Sequence, residues 1–258
     1  MSVADQPRTV LITGATGGIG GALAVVYAEV GTTLILQGRN ATRLAELAAA
    51  CEARGARVLT QLLDLCDRQA LASWLAALGE HERLDLVIVN AGVNTNIGSD
   101  GAGERWHDVE QLIAVNVLAA MATVDAVLPA MRARGQGQIA LLSSLAAYYG
   151  LPLTPSYCAS KAAIKAYGEA IRGWLAGEGV RVSVVMPGYV DSEMCREMPG
   201  PKPFLWAPER AARRIRRGLA RNQARISFPF PLNFGTWWLA VLPSAVSQRI
   251  LRLLDYGG

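Results

Sequence analysis

Short, continuous runs of Val, Ile and Leu alternate with longer helix-patterned stretches along nearly the whole chain, and this alternation limits the fold more than any other feature. The apolar runs are Thr9–Thr13, Thr32–Leu36, Val58–Leu63, Leu84–Asn90, Gln138–Ser143, Val180–Met186 and Arg225–Phe228. They lack the in/out alternation of a strand with one wet face, so each is predicted to be a parallel strand covered on both sides. Helical patterns fill the gaps at Ile19–Val30, Ala41–Arg54, Asp67–Leu78, Glu104–Arg134, Ser156–Gly177 and Pro208–Asn222. Gly31, Gly55, Gly79, Gly135 and Gly179 follow most of them, where a left-handed residue would close a helix. Repeated β–α units imply right-handed crossovers, so the expected class is α/β: a doubly wound sheet of about seven parallel strands flanked by helices. No linker-like stretch or internal repeat divides residues 1–258, and one domain is expected.

Composition removes several other classes. With 258 residues, 52% of them hydrophobic, the chain can bury a large core and is not disordered. Cys51, Cys66, Cys158 and Cys195 are too few for a disulfide-stapled secreted scaffold; reduced thiols in a cytoplasmic protein are expected. Residues Met1 to Arg8 lack the charged-then-apolar layout of a signal peptide. The most apolar window, Phe228 to Val246, is broken by Pro229, Pro231, Asn233, Gly235 and Pro243, which argues against a membrane span there. Net charge is +4, yet Lys202 to Arg225 alone holds eight basic residues and one acid, leaving −3 on the rest. The basicity belongs to one segment, so no nucleic-acid partner is expected. No metal centre is expected either.

Directly after the first strand stands Thr13-Gly14-Ala15-Thr16-Gly17-Gly18-Ile19-Gly20. Gly14, Gly18 and Gly20 fall where the chain must turn sharply out of a strand and open a helix. Side chains there would hold the backbone away from a pyrophosphate, and the helix N-terminus would supply unpaired N–H groups. The spacing G-x-x-x-G-x-G differs from the more familiar dinucleotide fingerprint, and a tight turn with no ligand is the bland alternative. At the end of the second strand, an acid would accept from the ribose 2′-hydroxyl of NAD; this chain has Gln37-Gly38-Arg39-Asn40. Arg39 could grip a 2′-phosphate, favouring NADP(H), or simply open the next helix into solvent. The neutral Ala15, Thr16 and Gly17 weaken that preference, and NAD(H) stays open. Asp64, after the third strand, is placed either near an adenine or as an ordinary strand-end acid.

Tyr157 and Lys161, four residues apart in Tyr157-Cys158-Ala159-Ser160-Lys161, project from one helix face. A free tyrosine titrates near ~10, too high for a base at neutral pH. A nearby ammonium and a positive nicotinamide would lower it; a fall of about 3 units corresponds to about 4 kcal/mol. An exposed amphipathic helix is the ordinary meaning of the same spacing. Ser144 ends the fifth strand, Asn90-Ala91-Gly92 the fourth and Pro187-Gly188 the sixth, all at the edge where open parallel sheets gather ligands. Asn116 sits inside the long fourth helix, where asparagine is a poor helix former.

Taken together, these residues resemble the short-chain dehydrogenase/reductase family from about Arg8 to Asn222. The resemblance implies a Rossmann-like sheet and an NAD(P)(H)-dependent oxidoreductase interconverting a carbonyl and a secondary alcohol. It implies Tyr157 as general acid/base and Ser144 as hydrogen-bond partner of the substrate oxygen. Lys161 would hold the nicotinamide ribose and depress the Tyr157 pKa, and Asn116 would bend its helix and retain a water. Gly14, Thr16, Gly18, Ile19, Gly20, Arg39, Asp64, Asn90, Gly92, Pro187, Gly188 and Val190 would line the cofactor. Ser192, where the family more often has threonine, would bind its carboxamide. Family members are commonly homodimers or homotetramers, which is the expected assembly. A nucleotide-binding regulatory protein without catalysis is a second reading, opposed by the intact Ser144, Tyr157 and Lys161.

Two segments bear on the substrate. The loop Tyr189–Ala207, with Met194, Met198, Phe204 and Trp206 among Pro199, Gly200, Pro201 and Pro203, reads as an apolar lid or as an ordinary connection. Helix Pro208–Asn222 puts Arg210, Arg214, Arg217 and Arg221 on one stripe, with Ala212, Ile215 and Leu219 toward the protein. Beyond it, residues 223–258 form a helical, aromatic-rich extension containing Phe228-Pro229-Phe230-Pro231-Leu232, Phe234 and Trp237-Trp238. Burial in a homo-oligomer explains these residues. So does peripheral contact with the cytoplasmic membrane face, as in surface polysaccharide (capsule) or lipid biosynthesis.

Overall fold

The computed structural model describes residues 7–98, 101–198 and 200–254. Pro199 of the expected lid and the ends 1–6 and 255–258 of the expected domain lie outside the described residues. The apolar runs become β1 (Thr9–Ile12), β2 (Thr33–Gly38), β3 (Arg57–Leu62), β4 (Leu86–Val89), β5 (Gly137–Leu142), β6 (Val180–Pro187) and β7 (Arg225–Phe228). They form one parallel sheet in the order β3-β2-β1-β4-β5-β6-β7. The order reverses between β1 and β4, which opens a crevice at their carboxyl ends.

Side chains alternate along each strand, and both faces are covered except at the edge strand β3, where no residue is buried and Leu62 is exposed, contrary to the expectation for its run. Val10, Ile12, Leu34, Leu36, Leu86 and Ile88 pack on α1 (Gly18–Tyr27), α2 (Ala41–Glu52) and α8 (Pro208–Ala220) through Leu23, Leu44, Ile215 and Leu219. Leu11, Ile35, Val87, Ile139 and Leu141 face the other way. They meet α3 (Arg68–His81), α5 (Ala120–Ala133) and α6 (Pro155–Trp174) through Leu75, Val124 and Ile164. Two apolar faces on the inner strands are what made their runs continuous. The arginine stripe of α8 has the expected inner face, with Ala212, Ile215 and Leu219 buried, although Arg210 lies over the Trp206 ring at 4.0 Å and Arg214 donates to Gln223.

Helix ends follow local chemistry. The Asn40 and Asp67 side chains accept from the third backbone N–H beyond them and so cap α2 and α3. Gly31, Gly55, Gly135 and Gly179 have positive φ as expected of caps, but Gly79 does not: it lies within α3, which continues to His81. The expected helix Glu104–Arg134 is also corrected. It consists of α4 (Trp106–Ile113), one π-helical stretch at Ala114–Ala119, and α5. Glu104 precedes it and accepts from the Ser156 hydroxyl and backbone N–H instead. Trp106–Ala133 is long enough to cross a membrane and its most apolar 18 residues have a mean hydropathy of 1.9, but half of those are buried, and Val124, Leu128 and Met131 of this stretch sit in the core beside the sheet.

The loop after β6 contains α7 (Glu193–Glu197) and is closed at its base by a bridge between Val190 and Trp206; Trp206 stacks on Phe228 at 5.0 Å. The extension folds as α9 (Leu232–Val241) and α10 (Ser244–Leu253). The Ser247 hydroxyl donates to the Leu239 carbonyl and ties the two together.

Candidate active site

A cleft of about 1280 Å³ runs along the carboxyl ends of the strands, from Arg39, Asp64 and Leu65 at one end to Tyr157, Leu239 and Leu251 at the other. The residues expected to serve catalysis or the cofactor line it except Asn116, which lies directly behind it, whereas Phe204, Trp206, the arginine stripe of α8, Trp237 and Trp238 do not.

At the first end, the turn after β1 is held by side chains that leave no spare room. Gly14 has φ +63°, and a Cβ there would sit 2.7 Å from the Ala91 Cα. A Cβ on Gly20 would lie 2.4 Å from the Gly14 carbonyl oxygen and 2.7 Å from Asn90 Nδ2. That Asn90 amide donates to the Thr13 and Gly14 carbonyls, and the Thr13 hydroxyl accepts from the N–H groups of Asn90 and Ala91. Gln37 has a use the sequence reading missed: its oxygen accepts from the Gly14 N–H at 2.9 Å and its amide donates to Leu63 O at 2.7 Å. The turn is therefore pinned from β2 and β4 at once, with the N-terminus of α1 opening behind it. Asp64 is exposed, and one oxygen accepts from the Cys66 N–H within its own turn.

Two guanidinium groups stand at this end. Arg39 is exposed on the cleft rim, and Arg43, which the sequence reading did not single out, pairs with Glu193 of α7 at 2.8 Å. That exposed pair connects α2 to the loop over the cleft. Ser192 caps α7, and a Cβ on Gly18 would touch the Ser192 Cβ at 2.9 Å, so the loop lies against the glycine turn.

At the other end, Tyr157 and Lys161 lie one turn apart on α6 and are nearly inaccessible to solvent (9% and 5%). Ser144, just beyond the end of β5, lies beside Tyr157; its hydroxyl donates to the Pro187 carbonyl at 3.5 Å and accepts from the Ala146 N–H at 3.2 Å. The Lys161 ammonium donates to the Leu142 carbonyl at 3.0 Å and lies 5.6 Å from the centre of the Tyr157 ring. Burial pushes the tyrosine up to about 12, against the smaller lowering by the Ser144 hydroxyl beside it, and brings the lysine down to about 8. The expected fall in the tyrosine pKa is thus not what the protein groups produce: desolvation of the phenolate is the largest influence, and the ammonium sits over the ring face.

Asn116 explains the π-helical stretch. Its side-chain oxygen accepts from the Val93 N–H at 2.8 Å while its amide donates to the Val93 carbonyl and to Ser160 Oγ. These bonds draw the residue toward the loop after β4, so the helix widens by one residue to reach them. Gly92 keeps this corner open, since a Cβ there would lie 3.2 Å from Asn116 Oδ1 and 3.3 Å from Lys161 Nζ. Ser143, unremarked in the sequence, donates to the Lys161 carbonyl at 2.7 Å and ties β5 to α6. Among the described residues there is no cluster of metal-ligating side chains.

The family model described as short chain dehydrogenase matches residues 8–201. An uncharacterized oxidoreductase of Myxococcus xanthus is 37% identical over 249 residues, covering 96% of this chain and 97% of that one. Among solved structures, a short-chain dehydrogenase from Sphingobium yanoikuyae in complex with NADPH superposes with a TM-score of 0.81 at 26% identity, covering 95% of each chain. Another, from Mycobacterium paratuberculosis and bound to NAD, gives 0.75 at 26% identity over 88% of this chain and 98% of its own. With the parallel sheet and the glycine-turned crevice already in place, this agreement over nearly the whole length makes the chain a member of the short-chain dehydrogenase family, an oxidoreductase that uses a nicotinamide cofactor and a small-molecule substrate.

Proposed function

We propose that the protein interconverts a carbonyl compound and a secondary alcohol using NADP(H), with Tyr157 as general acid/base. The observation that carries this reading is the buried Tyr157, which lines the cleft together with Ser144 at the carboxyl edge of β5 and Lys161 one turn on. When bound, the nicotinamide cofactor supplies or accepts a hydride at the substrate carbon. In reduction Tyr157 gives its phenolic proton to the substrate oxygen; in oxidation the phenolate takes the alcohol proton. Ser144 donates a hydrogen bond to that oxygen as charge develops on it. Lys161 would hold the ribose hydroxyls of a bound cofactor, and Asn116, which bonds the Val93 backbone and Ser160, orders this corner beside Lys161, where it would retain a water.

The other end fits a dinucleotide because Gly14, Gly18 and Gly20, packed too closely on Ala91, Ser192 and the Gly14 carbonyl to admit a Cβ, bring bare backbone and the N-terminus of α1 to the cleft wall. Thr16, Ile19, Asn90, Gly92, Pro187, Gly188, Val190 and Ser192 complete that wall. The preference for NADP over NAD rests on Arg39 and Arg43, and on the neutral Gln37 whose amide is already engaged. Asp64, which lines the same end of the cleft as Arg39, would stand at the adenine side.

The test follows nicotinamide absorbance across a panel of ketones and secondary alcohols, with thermal-shift comparison of NADP and NAD. Turnover that needs Tyr157 and a larger thermal shift with NADP support the reading. Full turnover in Tyr157→Phe overturns the mechanism, and a larger shift with NAD overturns the cofactor preference.

A further inference from the structure

The two C-terminal helices have two apolar faces. On the inner side Leu232, Leu239, Ile250 and Leu251 line the cleft, and Leu254 stands at its mouth. On the outer side Phe230 (78% exposed), Phe234, Trp237, Trp238 and Val241 face solvent. Phe234, Trp237 and Trp238 form one cluster, with ring centres 5.2–6.1 Å apart. Helices that bury one apolar face and still expose five large apolar side chains mark a contact surface.

Charge selects the occupant. From Ile226 to Gly258 the sequence carries Arg249 and Arg252, both exposed on α10, against one acid, Asp255. A second copy meeting this patch across a two-fold axis would set a net positive segment against its own kind. An anionic lipid surface complements it, and tryptophan beside arginine is the composition that settles at a headgroup boundary.

We infer that α9 and α10 seat the protein on an anionic membrane surface and admit a lipophilic alcohol or ketone from the bilayer to the cleft. The substrate half rests on the reading of the cleft as the active site; the docking half does not. A substrate passing between Leu254 and Leu251 toward Tyr157 stays against apolar side chains and never crosses bulk water. Retained in the interface, the tryptophans would sit at headgroup depth while Arg249 and Arg252 meet lipid phosphates.

The experiment is co-sedimentation of the full chain with phosphatidylcholine vesicles containing or lacking phosphatidylglycerol, with tryptophan fluorescence recorded in parallel. Expected are binding only to the anionic vesicles, a blue shift on binding, and weakening at high salt. Trp237→Ala with Trp238→Ala should lower the partition coefficient by about 10-fold or more. Arg249→Glu with Arg252→Glu, at exposed positions with no role in packing, should do the same and guards against a tryptophan variant that fails to fold. Vesicle binding unaffected by either pair, or no vesicle binding together with a dimer that the tryptophan variant dissociates, overturns the docking. For the substrate half, kcat/KM on a series of 2-alkanols should rise with chain length, and a flat series overturns it. Absence of turnover on every alcohol and ketone would instead count against the proposed activity and leave the vesicle result standing.

Discussion

Lys161→Met should stabilise the protein while removing the cation from the reacting end. The ammonium is 95% shielded from solvent, and burial lowers its pKa from 10.5 to about 8. That difference corresponds to about 3 kcal/mol of cost for keeping the charge inside at pH 7. Methionine fills a similar volume without a charge, but it leaves the Leu142 carbonyl without its donor, which offsets about 1 kcal/mol. The net gain of about 2 kcal/mol should raise the melting temperature of the protein by roughly 4 °C at pH 7. The pH dependence has a definite sign. Below pH 8 the lysine is charged in both folded and unfolded chains and the cost is fully present. Between about 8 and 10.5 the folded protein has shed its proton and the unfolded chain has not, so wild-type stability rises with pH relative to the variant. Differential scanning fluorimetry of both proteins, without added nucleotide, from pH 7 to 10.5 should show the gap closing. A variant that melts below wild type at pH 7, or a gap that stays constant across this range, would refute the assignment of a strained, buried ammonium.

The remaining predictions concern the two ends of the cleft. Tyr157→Phe should lower turnover by about 100-fold or more while the circular dichroism spectrum is retained, since only the proton donor is lost. For oxidation, the phenolate is the required form and burial raises its pKa, so the rate should climb with pH through the alkaline range; a level profile in the wild type would count against Tyr157 as the base. Gly14→Val forces a β-branched residue to φ +63° with its Cβ 2.7 Å from the Ala91 backbone. It should cost about 1–3 kcal/mol and abolish the thermal shift given by nucleotide. Arg39→Glu should turn the ratio of kcat/KM for NADP over NAD downward by about 10-fold or more, through loss of a cation and gain of a repelling acid; an unchanged ratio removes Arg39 from cofactor selection.

The sheet was legible because its signal is local and doubled: Val10 and Ile12 face one helical layer and Leu11 the other, so every position of the run is apolar. Glycine punctuation was legible only where the backbone needs positive φ. Gly79 has an ordinary helical conformation, with open space where its Cβ would be, and the letter alone cannot tell it from Gly55. The Tyr157–Lys161 spacing is a helix-face relation and could be seen; the direction of the tyrosine shift depends on burial by residues from elsewhere and could not. The break at Asn116 needs Val93, twenty-three residues earlier, and the Arg43–Glu193 pair joins residues 150 apart. Gln37 was noticed for the carboxylate it lacks, whereas its contribution is a clamp on Gly14 and Leu63 that only strand pairing brings into reach.

The reacting end and the substrate wall are built on separate supports, and this separation has a consequence. Ser144, Tyr157, Lys161 and Asn116 are fixed by β5, α6 and the π-helical stretch, with bonds from Ser143, Ser160 and Val93 that all lie in or beside the core. The wall comes from α7, α9 and α10, held by the Val190–Trp206 bridge, the Trp206–Phe228 stack and the Ser247–Leu239 bond, with Tyr149 touching Ser244 at the surface. Elements with few buried contacts open at lower free energy than the core they cover. Side chains on α9 and α10 can therefore change, or the pair can lift away from the mouth, without moving the Tyr157 hydroxyl relative to Ser144. Under the proposed activity, the rigid edge of the sheet would set the chemistry and the helices laid over it the choice of substrate, so exchanging side chains on α9 and α10 should alter KM across substrates before it alters kcat.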